Sequence, residues 1–215
     1  METPPLPHRP LLIVGGNVAL DLANTVDAPG LPTEFDHLQH PVTVLAWAEQ
    51  VGLVDHRQRG ELARYAGQAD DRVPAELRRL HRLRRAIEDV FGAIAEQAEI
   101  PQPGWAALRR AAGEAMGAAW PDRRGDHVHP SWEIDSLDAL GHPLAYAAWD
   151  LLTSGPLDRV KRCSACPWIY LDRSKNGSRR WCTMEDCGKA VKMRRYVEKR
   201  AAMRLAAHRP PSTVH

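Results

Sequence analysis

The chain has 215 residues, 44% hydrophobic and 26% charged, which suits an ordinary packed domain with a small module attached. No run approaches the roughly 18 apolar residues of a membrane span, and the N-terminus lacks the apolar stretch of a secretory signal, so a cytoplasmic location is expected. The formal net charge of +2 hides an asymmetry: Arg159 to Arg209 holds 15 Lys and Arg against 4 Asp and Glu, and the remainder 14 against 23.

An acidic body with a basic C-terminal quarter points to an anionic partner. In chain order, residues 1–10 are Pro-rich and read as a disordered tail. Leu11 to Val26 begins apolar, turns at Gly15-Gly16, and favours a helix over Ala19 to Thr25. That turn is not a dinucleotide fingerprint, since no G-x-G-x-x-G follows. Pro29 to Pro41 is turn-rich loop. Val42 to Val51 reads as a helix stopped by Gly52, and a second runs from about Arg57 to Gly67. The longest helix begins at Pro74, carries apolar residues at three- and four-residue steps from Leu77 to Ile94, and ends before Pro101. Trp105 to Gly117 and Pro143 to Thr153 give two more. Between them, Ala118 to Trp120 and Trp132 to Ile134 could form a short hairpin around a polar turn at Pro121 to Ser131. The segment Thr153 to Pro156 marks a boundary between residues 11–155 and 156–207, and residues 208–215 read as a second disordered tail.

All four cysteines fall within 25 residues, as C-x2-C-x15-C-x4-C. Cys163, Cys166, Cys182 and Cys187 are expected to hold one structural zinc ion. Four thiolates complete a tetrahedral site and leave no open position for catalysis. Two disulfides so placed would suit a small secreted scaffold. In the spacer, Trp168 to Leu171 is strand-like. Asn176-Gly177 is a hairpin turn, and Arg179-Arg180-Trp181 leads back to Cys182. Lys189 to Ala207 then reads as one helix. Knuckle, hairpin and helix describe a treble-clef-like finger. The expected fold class is mainly α: a helical N-terminal domain with room for a short β-hairpin, plus this finger.

On the last helix, Ala190, Met193, Val197, Ala201 and Leu205 share one side, and Lys192, Arg195 and Lys199 share another. With Lys189, Arg179 and Arg180, these cations are the candidate DNA contacts, able to neutralise several phosphates.

The stretch CSACPWIYLDRSKNGSRRWCTMEDCGKA resembles the CGNR zinc finger of bacterial transcription regulators, and GGNVALDLANTVD resembles the opening of the ABATE domain that accompanies it. The resemblance spans about Leu11 to Leu205. It implies a largely helical N-terminal domain, a zinc-binding module and a DNA-binding regulator associated with the nucleoid. A homodimer is compatible with such a regulator, and no effector is named. After Cys187-Gly188 the family pattern has Asn then Arg. Here Lys189 and Ala190 stand instead, and because Ala190 falls on the apolar side, a packing difference is expected there.

Asp21, Asn24 and Thr25 are polar residues in an apolar neighbourhood. They either line a small-molecule pocket, with Asp21 and Asn24 as its candidate ligand-binding residues, or are buried and satisfied by backbone groups. His127, His129 and His142 read as surface histidines, and Trp47, Trp105 and Trp149 as core. A nuclease would need a histidine base and a metal with open positions. No histidine lies between Arg159 and Ala207, so no enzyme activity is expected. The alternative to DNA binding is a zinc-stabilised protein-interaction module.

Overall fold

The computed structural model describes residues 11–27, 35–68 and 71–207. The tails expected at 1–10 and 208–215, and part of the loop after Pro29, lie outside the described residues. The described chain is mainly helical, with seven α-helices and three two-stranded antiparallel sheets. No described helix is long and apolar enough to cross a membrane.

The first helix, α1 (Val18–Ala23), is short and central. Asn17 caps it, its side chain accepting from the Ala19 amide at 2.9 Å. Residues 19 to 23 are all buried. Strands β1 (Val26–Asp27) and β2 (Phe35–Asp36) follow, then α2 (Pro41–Gln50) and α3 (His56–Gln68). Pro41 opens α2, and Gly52 closes it with φ +75. The Gly52 and Leu53 amides donate to Glu49 and Ala48, a Schellman stop that needs the left-handed residue where glycine stands.

The long helix α4 (Val73–Ala95) ends six residues before Pro101. Its stop is of the same kind, with Gln97 at φ 55. α4 and α6 (Gly141–Ser154) flank α1, and α5 (Gln102–Gly117) packs on both. Leu20, Leu22, Ile87, Phe91, Leu108 and Leu144 are fully buried between them. Burying each such side chain is worth about 1.5–3 kcal/mol. Arg84 of α4 grips Asp36 of β2 through two hydrogen bonds of 2.7 and 2.6 Å, tying the small sheet to the bundle. Trp47 is buried, and Trp105 and Trp149 meet with ring centroids 5.7 Å apart.

The hairpin between α5 and α6 exists, but its strands are β3 (Trp120–Arg124) and β4 (His127–Ser131), turning at Gly125. The polar stretch expected to be the turn is itself the ladder. The exposed hairpin has no apolar face to bury, so its strands carried no hydrophobic alternation. His127 and His129 share one exposed face, with ring centroids 6.4 Å apart.

The finger differs more. Strand β6 (Ile169–Leu171) pairs not with the return segment at Arg179 to Trp181 but with β5 (Val160–Arg162), across the Cys163–Cys166 knuckle. Burial decides this. Val160, Ile169 and Leu171 join the same core as α1 and α4, a face that the charged return segment could not supply. Among the described residues, helix α7 (Lys189–Ala207) stands off the body. Its substantial contacts are with the single π-helical turn Met184–Gly188 that precedes it.

Candidate metal centre and basic helix

The knuckle is built first by backbone geometry. The Cys163 amide donates to Trp168 O at 2.9 Å, closing the turn that aims Cys163 and Cys166 at one point. The Ser164 amide reaches Arg180 O at 3.0 Å, bringing in the second half of the site. The Cys182 amide donates to Cys163 Sγ at 3.3 Å. Thr183 caps the π-helical turn by accepting from the Asp186 amide at 3.1 Å, which swings Cys187 inward.

The result is one cluster. All four sulfurs lie within 4.8 Å of one another. Cys166 and Cys182 are 3.6 Å apart, and Cys182 and Cys187 3.5 Å. A zinc ion at about 2.3 Å from each sulfur requires edges of about 3.8 Å, so the donor set fits the ion. Its electrostatics suit a cation too. The hydrogen bond from Cys182 pulls the Cys166 thiol down to about 6. That same contact pushes Cys182 far up, and burial pushes Cys187 up to about 12. Four thiolates cannot share this space unless a divalent charge neutralises them. The four cysteines hold one structural zinc ion.

Aromatic packing surrounds the metal. Tyr170 is fully buried against Cys163 and Cys182, with Trp168 and Trp181 beside them. The Tyr170 hydroxyl donates to Arg179 O at 2.8 Å. Asp172 is the hub of the following loop. It accepts from Lys161 Nζ at 2.8 Å, from the Ser174 amide and hydroxyl at 2.9 and 2.6 Å, and from the Arg179 amide at 3.1 Å. Burial alone would raise its carboxyl, but these donors hold it well below the usual carboxylate range.

The finger is sewn to the helical bundle along the outer edge of β6. The Asn24 side chain pairs with the Ile169 backbone in both directions: Nδ2 donates to Ile169 O and Oδ1 accepts from Ile169 N, each at 2.8 Å. The Leu171 amide donates to Gly15 O at 2.7 Å. Trp168 Nε1 donates to Val26 O at 3.1 Å, and Arg173 to Gly16 O at 2.6 Å. An exposed strand edge is thereby covered without a third strand. Asp21 holds the other partner in shape by accepting from the Val14 and Gly15 amides at 2.9 and 2.7 Å. Burial raises the Asp21 carboxyl, and those two amides partly offset it. Gly15 must be glycine, because a Cβ there would come 2.7 Å from the Asp21 nitrogen.

Asp21 and Asn24 thus meet backbone groups of their own chain. Asn24 also lines a cavity of about 170 Å³ with Arg84, Glu88 and Trp168. The backbone partner of Asn24 is not legible locally, since Asn24 and Ile169 lie 145 residues apart.

The candidate DNA contacts separate into two groups. Arg179 lies over the Tyr170 ring at 4.1 Å and donates to the carbonyls of Trp181, Val14 and Cys182. Its guanidinium braces the finger. Arg180, Lys189, Lys192, Arg195 and Lys199 are exposed. The expected packing of the α7 apolar side is absent among the described side chains: Ala190 and Ala201 are exposed, and Met193 and Val197 are 63% and 58% exposed. The helix projects too far for any described element to cover it. Lys189 and Ala190 therefore alter an exposed helix start, not a packed one. The side chain of Leu205 lies outside the described residues.

A family model for the CGNR zinc finger matches residues 159–200. The model for ABATE, with the description "Putative stress-induced transcription regulator", matches residues 16–155. No curated protein matches the chain. Those two matches run from the Gly15-Gly16 turn to the middle of α7, and with the sulfur cluster between them they place the chain in the ABATE family, with a CGNR zinc finger following the ABATE region.

Proposed function

We propose that the protein is a DNA-binding transcription regulator that meets the nucleoid through its zinc finger. One observation carries the reading: α7 stands clear of the body, and every one of its described cations points to solvent. Lys192, Arg195 and Lys199 form one stripe, with Lys189 at its start and Arg180 on the neighbouring loop. Such a stripe neutralises phosphates and releases counterions on binding. The family description supports the same direction. The zinc ion is structural in this reading. Its four sulfurs leave no site for a substrate or water, and we assign the protein no catalysis.

The test is duplex binding by fluorescence anisotropy across a salt series. Binding is expected to weaken steeply as salt rises. Replacing Lys192, Arg195 and Lys199 together with Ala removes three phosphate contacts, which lowers the logarithmic salt slope by about 2.7 and leaves zinc content unchanged. A wild-type protein that ignores duplex DNA at low salt defeats the proposal.

A second reading, a protein-interaction module, draws on the exposed Met193, Val197 and Met203. Capture of a stable protein partner through α7 by a chain without DNA affinity favours it.

A further inference from the structure

The arginines of α4 are a feature that the charge balance of the chain conceals. Six basic side chains fall between Arg78 and Arg85, inside the region whose summed charge is acidic. Three of them have partners. Arg84 is held by Asp36, Arg79 donates to Asp138 at 2.6 Å, and His81 Nε2 meets Leu38 O at 2.9 Å. Arg78, Arg82 and Arg85 are exposed and have no hydrogen bond or ion pair among the described residues. Their spacing of four and three residues puts them within an arc of about 60° and a length of about 10 Å along the helix.

Those three arginines line one groove between α4 and the start of α5, with a volume of about 400 Å³. Its floor is made of small residues: Ala86 from α4, and Pro103, Gly104 and Ala107 from α5. Asp89 is its single acid, its side chain lying against Gly104. Arg82 also lines an adjoining cavity of about 330 Å³ with Arg79, Arg110 and His142, so it sits on the ridge between the two. There Arg79 faces Asp138, and Arg110 lies 3.8 Å from Glu114. The first groove has no such compensation.

Like charges at this spacing repel one another and destabilise a helix. An anion in the groove removes that cost. Arginine forks match the oxygens of a phosphate two at a time. The volume is that of a small-molecule site, and an apolar floor suits the flat body of a small ligand while the arginine wall suits its charge.

We propose that the α4–α5 groove binds a phosphate-bearing small molecule of nucleotide size, with Arg78, Arg82 and Arg85 as its phosphate ligands. The ABATE region is then a sensor, and the ligand sits on a helix that also packs against β5 and β6 of the finger.

The experiment titrates the full-length, zinc-loaded protein with ATP and with pyrophosphate by calorimetry and by thermal shift. Saturable binding of either probe is expected. Arg82→Gln weakens it about tenfold, and the combined Arg78→Gln, Arg82→Gln, Arg85→Gln variant abolishes it. Arg82→Lys, which keeps the charge but loses the fork, falls between. Unchanged zinc content and melting temperature in the ligand-free variants show that they fold. The Lys192, Arg195, Lys199 variant keeps full probe affinity, so failure of the DNA reading leaves this one standing. Three results overturn the proposal. One is no saturable binding of either probe, and another is equal affinity in the triple glutamine variant. The third is a triple variant that keeps ATP but loses duplex DNA, which makes the stripe part of a nucleic-acid surface.

Discussion

The two halves of the finger obey different rules. The hairpin β5–β6 is embedded: Val160, Ile169 and Leu171 lie in the main core, and Asn24 and Gly15 cover the strand edge. Helix α7 has no such shelter among the described residues, and its Met193, Val197 and Met203 face water. Between them sit the four sulfurs, two on the hairpin side and two before the helix. The metal is a joint between a fixed half and a projecting half. The finger shares part of its core with the helical bundle through Val160, Ile169 and Leu171, while Tyr170, Trp168 and Trp181 pack around the sulfurs as a cluster of their own.

The largest test of that contrast removes the joint. Cys182→Ala, or a strong chelator, forfeits a metal whose binding in zinc fingers is worth roughly 10–16 kcal/mol. Amide exchange from Thr183 onward is expected to become fast, because a 19-residue helix with no packing face is marginal in water. Ile169 and Leu171 stay protected. Equal loss of protection in both halves breaks the comparison, since the hairpin would then depend on the ion as well.

A smaller effect sharpens it from the other side. Asn24→Ala strips both partners from the buried Ile169 backbone, at a cost of about 2–4 kcal/mol in urea unfolding. Zinc content is expected to persist. A loss below about 1 kcal/mol would mean that the seam does not hold the hairpin in place.

The smallest expected effect falls on α7. Met193→Ser and Val197→Ser change side chains already in water, and stability is expected to move by less than about 0.5 kcal/mol. A drop in melting temperature that depends on protein concentration would show a second copy covering this face in solution.

The metal site was legible in the sequence because its chemistry is local. Sulfur spacing, the Asn176-Gly177 turn and the cationic helix all lie within one short stretch. The pairing partner of β6 was not, because Val160 to Arg162 is a three-residue strand with no alternation to mark it, and only its burial against α4 reveals it. Asn24 shows the same limit: an amide in an apolar run announces burial but not which backbone it will meet. Arg78, Arg82 and Arg85 were hidden by summation. Counted with the acids of the whole body they vanish, while counted by helical step they form a stripe.

The covered edge of β6 also bears on how portable this finger is. A graft that begins at Pro156 would carry the cysteines but leave behind the carbonyl of Gly15 and the amide of Asn24. Its β6 would then offer bare hydrogen-bonding groups beside Ile169 and Leu171, an invitation to stick to other chains. A transplant that keeps its shape must bring residues 14–26 with it, so the unit of inheritance here is a finger together with its cradle.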